Sequence, residues 1–311
     1  MDYLEHPAVI TGVPFGAGVR ILAPAKINVG LEILGPRADG YHELRTIFQA
    51  VSLCDRIALQ RARSGVSVNC PTLPDLGEAN LAHRAASLYL EKTGAHGGVR
   101  IDLEKRIPAG GGLGGGSSDA AAVLLGCCRL FGVYPEPGSL REWAAALGSD
   151  VPFFIEGGSA IGSGRGEILE RLAPFSGTVV ALVNIPTAGL STAAVYRGLR
   201  RERLTARTRK LTMLLACWQG GDLRGLAKRL FNDLEMPAFV LAPGLADVKQ
   251  ALCAAGAQGA LLCGSGSSVF GLFGSDVDAE RARRQLRGTI PGRLLKVHFL
   301  PARRRWGVVK R

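Results

Sequence analysis

Val29, Leu31 and Ile33 alternate with Gly30, Glu32 and Leu34, and this two-residue period predicts a strand over 28–34. A shorter apolar run predicts another over 19–23, with a loop between the two that carries Pro24 and Lys26. In PRADGYH the residues Pro36, Asp39 and Gly40 supply turn angles, and further strands are expected over 44–53 and 56–62. The period then changes. Leu81, Ala85, Leu88 and Leu90 recur at helical spacing over 80–92, and a strand is expected over 99–103. A glycine-rich run over 110–116 opens a helix expected over about 117–131. Ser139 and Glu142 stand in a capping-box relation at the head of LREWAAAL and predict a short helix there. Strands are expected over 159–163, 167–172 and 178–184. Beyond them the pattern is mostly helical, over 192–199, 211–218, 223–231 and 246–255. Two strands (260–263, 268–273), a helix (279–286) and a strand (294–300) close the chain. No internal repeat is visible, and the change of pattern near 165–178 suggests two domains, 1–170 and 171–311.

Composition bounds this picture without altering it. Of 311 residues, 47% are hydrophobic and 21% charged, as in a globular protein, so disorder is not expected. The 42 glycines cluster in a few runs and read as tight backbone sites. The longest apolar stretches, such as 178–185, fall short of the roughly 20 residues a membrane helix needs. The N-terminus carries Asp2 and Glu5 and no basic n-region, so a secretory signal is not expected and the cytoplasm is. Seven cysteines without a C-x-x-C read as buried, reduced thiols, and five scattered histidines show no zinc-ligand spacing.

The net charge of +12 does change the question. Two basic clusters, 197–210 and 303–311, suit either a polyanion or a plain solvated face, and charge alone does not separate the two.

The strongest chemical signal is PAGGGLGGGSSDAA, from Pro108 to Ala121. It follows an expected strand and opens an expected helix. Six glycines around Leu113 leave the backbone free of Cβ atoms, so N–H groups can approach an anion. The helix N-terminus adds unpaired donors and a partial positive charge, and Ser117 and Ser118 offer hydroxyls to phosphate or Mg²⁺. No Gly-x-x-x-x-Gly-Lys-[Ser/Thr] is present, and the Ser-Ser-Asp ending fits a dinucleotide fingerprint poorly. A close helix–strand crossing is the plainer reading of the glycines; for Asp119, capping and help to Mg²⁺ both stand open.

Phosphoryl transfer to an alcohol needs positioning, positive charge on phosphate oxygens, and a carboxylate to take the hydroxyl proton. Asp150, beside the apolar run 151–154, and Lys26, in an apolar strand-edge stretch, would each be costly to bury alone. As a pair they would satisfy one another; periodicity alone does not show that they meet.

Taken together, APAKINVGLEILGPRADGYHELRTIFQAVSL, KRIPAGGGLGGGSSDAA, GSDVPFF, GSGRGE, NDLE and GSGSSVFGLF resemble the GHMP kinase superfamily. Within it they are similar to the kinases of 4-diphosphocytidyl-2-C-methyl-D-erythritol in the non-mevalonate isoprenoid pathway. The blocks span roughly residues 19 to 300, and the AKIN and DGYHEL segments are the most specific. The resemblance implies an α+β fold of two domains, an N-terminal one like ribosomal protein S5 and a C-terminal ferredoxin-like one. It implies transfer of the ATP γ-phosphate, with Mg²⁺, to the 2-hydroxyl of the methylerythritol unit. Asp150 is then the expected general base and Lys26 the residue that orients it. Lys105, Pro108, Ala109, Gly110, Gly111, Gly112, Leu113, Gly114, Gly115, Gly116, Ser117 and Ser118 are expected to hold ATP. Asn28 is expected at the methylerythritol end, Tyr41 against the cytosine face and His42 on its edge, where a flat aromatic suits a pyrimidine. Thr192 and Tyr196 fall where the family supplies a hydroxyl and a second aromatic. Gly264, Ser265, Gly266 and Ser267 are expected to close the substrate site. No metal ligand is assigned.

Two other readings compete. Another GHMP kinase, acting on a mevalonate-like, sugar or homoserine-like alcohol, would have no use for a cytidine platform at Tyr41 and His42. A nucleic-acid-binding module would suit the charge but would explain neither Asp150 nor the glycine loop.

Overall fold

The structure, a computed structural model, describes residues 13–15, 18–185, 189–199 and 210–301. The N-terminal extension up to residue 12, the basic stretch 200–209 and the tail 303–311 lie outside the described residues.

The first of two sheets is built on two long strands. Its order is β1 (Val13–Phe15), β2 (Gly18–Pro36), β3 (His42–Ala62), β5 (Gly98–Glu104) and β4 (Gly65–Asn69). β6 (Ser159–Ser163) also pairs with β3, and β7 (Ile168–Leu172) with β6. α1 (Leu81–Thr93), α2 (Gly115–Phe131), α3 (Pro137–Leu147) and α4 (Val151–Glu156) share one core with this sheet. α2 is apolar nearly all round, and so it is buried. Val123, Leu124 and Leu125 are at most 2% exposed, each contributing roughly 1.5–3 kcal/mol by burial. A Cβ on Gly126 would fall 2.2 Å from Ile21 Cδ1, so only glycine lets the helix lie this close to β2.

The second sheet is wholly antiparallel. Its order is β10 (Gly259–Leu262), β11 (Val269–Phe273), β8 (Val180–Ile185) and β12 (Arg293–His298). In chain order these are the second, third, first and fourth strands, the order of a ferredoxin-like sheet. The change of sheet falls between Leu172 and Val180. Around this sheet lie α5 (Thr192–Arg197), α6 (Lys210–Gln219), α7 (Leu223–Lys228), α8 (Glu235–Leu241), α9 (Gly244–Ala254) and α10 (Asp276–Leu286). The halves are not separate bodies: Ala25, Ile27 and Val29 of β2 share a core with Val183, Leu261, Phe270 and Val297.

Three details depart from the sequence reading. Strands 19–23 and 28–34 are one strand, because Pro24 sits at a bulge between Pro24 and Ala25, where its missing N–H costs no ladder bond. Likewise 44–53 and 56–62 are joined as β3. α3 starts at Pro137, with Glu136 at the N-cap and no side-chain cap bond, so Ser139 lies inside the first turn. Finally, the helix expected over 223–231 stops at Lys228, and Phe231–Asn232 forms β9, a short parallel addition to β2.

Candidate active site

Between the two halves, β2, the glycine loop, the start of α4 and the 264–265 turn enclose a cavity of about 990 Å³. Lys26 reaches it from the middle of β2 and is 4% exposed. Its Nζ donates to Asn28 Oδ1 at 2.7 Å and lies 3.5 Å from Asp150 Oδ2. The ammonium also stands 5.5 Å from the centre of the Phe48 ring, a favourable face for a cation. Asn28 Nδ2 donates to Thr46 Oγ1 at 2.8 Å, and Thr46 donates to the Gly30 carbonyl at 2.7 Å, so the rotamer of Asn28 is fixed from behind. Asp150 holds the N-cap position of α4 but makes no cap hydrogen bond with its side chain. Its carboxylate is thus spent on Lys26 and the cavity.

The glycine loop wraps the head of α2. Gly110, Gly112 and Gly114 have φ of 71°, 74° and 70°, which favours glycine. A Cβ on Gly112 would fall 1.9 Å from the Cys263 carbonyl oxygen, so the loop is pressed against the 263–268 turn. Lys26 N donates to the Leu113 carbonyl at 3.0 Å, and Ser267 N and Ser268 N donate to the carbonyls of Gly110 and Gly111 at 3.3 and 3.1 Å. The helix itself begins at Gly115 without a side-chain cap and without an acidic residue in its first turn, which leaves its N–H groups and positive dipole end toward the cavity.

Several expected site residues take other roles. Ser118 is 1% exposed and donates its hydroxyl to the Pro24 carbonyl at 2.6 Å; one residue further round the helix than Ser117, it faces β2 and not the cavity. Gly266 and Ser267 stand behind the cavity wall, where Ser267 braces the glycine loop. Lys105 lines the cavity, but its ammonium is held between Asp55 and Asp119, the latter at 2.7 Å. Asp55 is fully buried and accepts from the N–H groups of Arg106 and Ile107. Burial pushes the Asp119 carboxyl up to about 8, with Lys105 pulling the other way and Asp55 adding like charge. Burial pulls the Lys105 ammonium down, yet the Asp119 and Asp55 carboxylates outweigh it and hold it above the ordinary lysine range. Asp119 therefore serves this hydrogen-bonded cluster with Lys105 and Asp55, while Gly114 takes the cap position.

At the other end, Tyr41 is 54% exposed and faces the Arg165 guanidinium, 4.9 Å from its ring centre. The turn bearing it is tied down by Asp39, which accepts from Tyr41 N at 3.1 Å, and by Glu43, which accepts from Gly164 N. His42 and Tyr196 bring their rings within 5.1 Å, one from each half of the molecule. Burial, and then the Asp150 charge, push the Tyr196 hydroxyl up to about 12. Thr192 Oγ1 and Ser265 Oγ lie 2.8 Å apart. Arg165 and Arg197 also line the cavity; the sequence reading has Arg197 only as the start of the basic cluster 197–210 and does not single out Arg165, which stands in the GSGRGE block, the one signal that could have marked it. Among the described residues no cluster of three or more His, Cys, Asp or Glu side chains could hold a metal. No helix among them is long and apolar enough to cross a membrane.

Comparison with known proteins agrees with this geometry. Residues 80–158 match the GHMP kinases N terminal domain, and residues 213–291 the GHMP kinases C terminal domain. The 4-diphosphocytidyl-2-C-methyl-D-erythritol kinase of Synechococcus sp. (strain JA-3-3Ab) is 43% identical over 86% of this chain and 88% of its own. The enzyme of that name from Thermus thermophilus is 46% identical over 86% of this chain and 92% of its own. A crystal structure of 4-(cytidine 5'-diphospho)-2C-methyl-D-erythritol kinase, 42% identical, superposes with a TM-score of 0.78 over 91% of this chain and 99% of that one. A homoserine kinase from Cytophaga hutchinsonii reaches 0.77 at 22% identity, over 94% and 98%, and shares the fold. The chain belongs to the GHMP kinases, among the 4-diphosphocytidyl-2-C-methyl-D-erythritol kinases.

Proposed function

We propose that this small-molecule kinase transfers the γ-phosphoryl group of ATP to the 2-hydroxyl of 4-diphosphocytidyl-2-C-methyl-D-erythritol. The observation that carries the reading is the placement of Lys26 and Asp150 at 3.5 Å, beside the glycine loop and in one cavity with Tyr41, His42 and Tyr196. ATP lays its phosphates along Gly110 to Ser117. Leu73, Ala79, Leu81 and Leu103 line the cavity beyond Lys105, an apolar slot for a flat base. The acceptor alcohol lies near Asn28 and Asp150, and its cytosine meets Tyr41 and His42.

Asp150 takes the proton of the hydroxyl as the alcohol oxygen bonds to the γ-phosphorus, and the bond from that phosphorus to the ADP oxygen breaks. Lys26 keeps the carboxylate aimed, and its charge faces the phosphoryl oxygens as charge develops on them. Magnesium usually keeps several waters and takes one or two protein oxygens besides phosphates. The Ser117 hydroxyl, on the cavity lining, fits that sparse demand, with the ion brought by the nucleotide. Bound there, it would neutralise phosphate charge.

The test is ADP release with Mg-ATP and 4-diphosphocytidyl-2-C-methyl-D-erythritol, run beside mevalonate, homoserine and galactose. Turnover confined to the cytidine compound is expected. Turnover of another alcohol alone would overturn the cytidine reading and keep the kinase; turnover of none would overturn both.

A further inference from the structure

Asn232 is 7% exposed, lies at the end of β9, and stands outside the lining of the cavity. Yet its amide is fully employed. Nδ2 donates to the Leu262 carbonyl at 3.0 Å and to the Gly264 carbonyl at 2.7 Å, and Oδ1 accepts from Leu234 N at 2.9 Å. The backbone on either side is tied to the catalytic strand: Asn232 pairs with Leu31, Asp233 N donates to the Leu31 carbonyl, and Asp233 Oδ2 accepts from Ile33 N at 2.9 Å. Asn232 thus fixes the spacing between β2, which carries Lys26 and Asn28, and the turn that follows β10.

Gly264 is the residue that uses this spacing. The point where its Cβ would stand is 3.3 Å from Lys26 Nζ, 3.3 Å from Asn28 Oδ1 and 3.4 Å from the Gly112 carbonyl oxygen. The turn therefore packs at once against the catalytic ammonium and the nucleotide loop, so tightly that a methyl group there would make its neighbours give by a few tenths of an ångström. From the β9 side the Gly264 carbonyl is held by Asn232 Nδ2, at 2.7 Å.

We propose that Asn232 is a positioning residue for phosphoryl transfer, acting through Gly264 to keep Lys26 and the glycine loop in register. The proposal rests on reading this cavity as the kinase site. A displacement of about 1 Å in such a site can lower the rate by about two orders of magnitude.

The test is Asn232→Asp, which keeps the shape but turns two donors into acceptors facing two carbonyls. Wild-type enzyme is assayed first; no turnover by it on any alcohol would be a failure of the functional reading, not of Asn232. The expected result is a 10- to 100-fold fall in kcat, both KM values within about threefold, and an unchanged fraction of folded protein. Hydrogen exchange, which needs no turnover, gives a second readout: the amides of Gly266, Ser267 and Ser268 should exchange faster while those of α2 do not. Should Asn232→Asp fail to fold, Asn232→Ala removes the donors without adding repulsion and should show the same split to a smaller degree. Wild-type kcat per folded molecule together with unaltered exchange at 266–268 would overturn the proposal, as would a fall in stability that accounts for the whole loss of activity.

Discussion

Lys26 Nζ stands 3.5 Å from Asp150 Oδ2 while it donates to Asn28 Oδ1 at 2.7 Å, so a buried ammonium is shared between a fixed amide and a half-exposed carboxylate. The amide is locked by Thr46, and the carboxylate is the member free to meet a substrate. Asp150→Asn should lower kcat by about 10²- to 10⁴-fold, the usual value of a positioned base. ATP binding, measured by calorimetry, should persist. Near-normal turnover would remove Asp150 from the mechanism.

The exposed ring of Tyr41 has one face toward the Arg165 guanidinium. Tyr41→Ala should weaken binding of the cytidine substrate by about 1–3 kcal/mol, the worth of a stacked base, and leave ATP affinity alone. The substrate Kd measured without ATP decides it; an unchanged value would sink the stacking claim.

Gly112 combines a φ of 74° with a Cβ position 1.9 Å from the Cys263 carbonyl oxygen. Gly112→Ala should cost at least about 1–2 kcal/mol in backbone conformation alone. It should also push the loop off the 263–268 turn, so the KM for ATP should rise more than the fall in Tm would explain. Equal ATP affinity in the variant would mean that the loop position is irrelevant to nucleotide binding.

Asp119 gives a pH dependence. Its carboxyl is raised from its ordinary 3.8 to about 8, chiefly by burial. The folded state therefore binds this proton more tightly than the unfolded chain does, and the stability it brings is complete below pH 4 and is lost as pH rises through about 8. Asp119→Asn carries no such proton. The Tm of the wild type minus that of the variant should fall steadily between pH 4 and 8; a constant difference would show that Asp119 titrates normally.

Much of this was legible in the chain. The alternation at 29–34, the helical spacing after Asn80 and the glycine run ahead of α2 mark elements that local pattern decides. From the residues themselves the Lys26–Asp150 pair was visible as two side chains too polar for their surroundings; the resemblance to the GHMP kinases supplied their pairing and roles. What stayed hidden depends on contacts distant in sequence. Pro24 reads as a break because a bulge in a paired strand cannot be seen from one strand alone. Ser118 reads as a phosphate ligand because the phase of α2 is set by its packing on β2. Asp55 carries no motif, and its place beside Lys105 comes from the pairing of β3 with β5. Asn232 opens the NDLE block, yet its role stays hidden there because the carbonyls it holds lie some thirty residues further on.

The short parallel addition of β9 to β2 has a bearing on how the enzyme turns over. Because two residues from the second half enter the sheet of the first, and β2 shares a core with β8, β10, β11 and β12, the halves cannot swing apart like the shells of a clam without tearing main-chain bonds and wetting apolar surface. The floor of the cleft is stationary. Substrate entry and product departure are then the business of the rim, where Tyr41, Arg165 and the head of α5 meet the solvent.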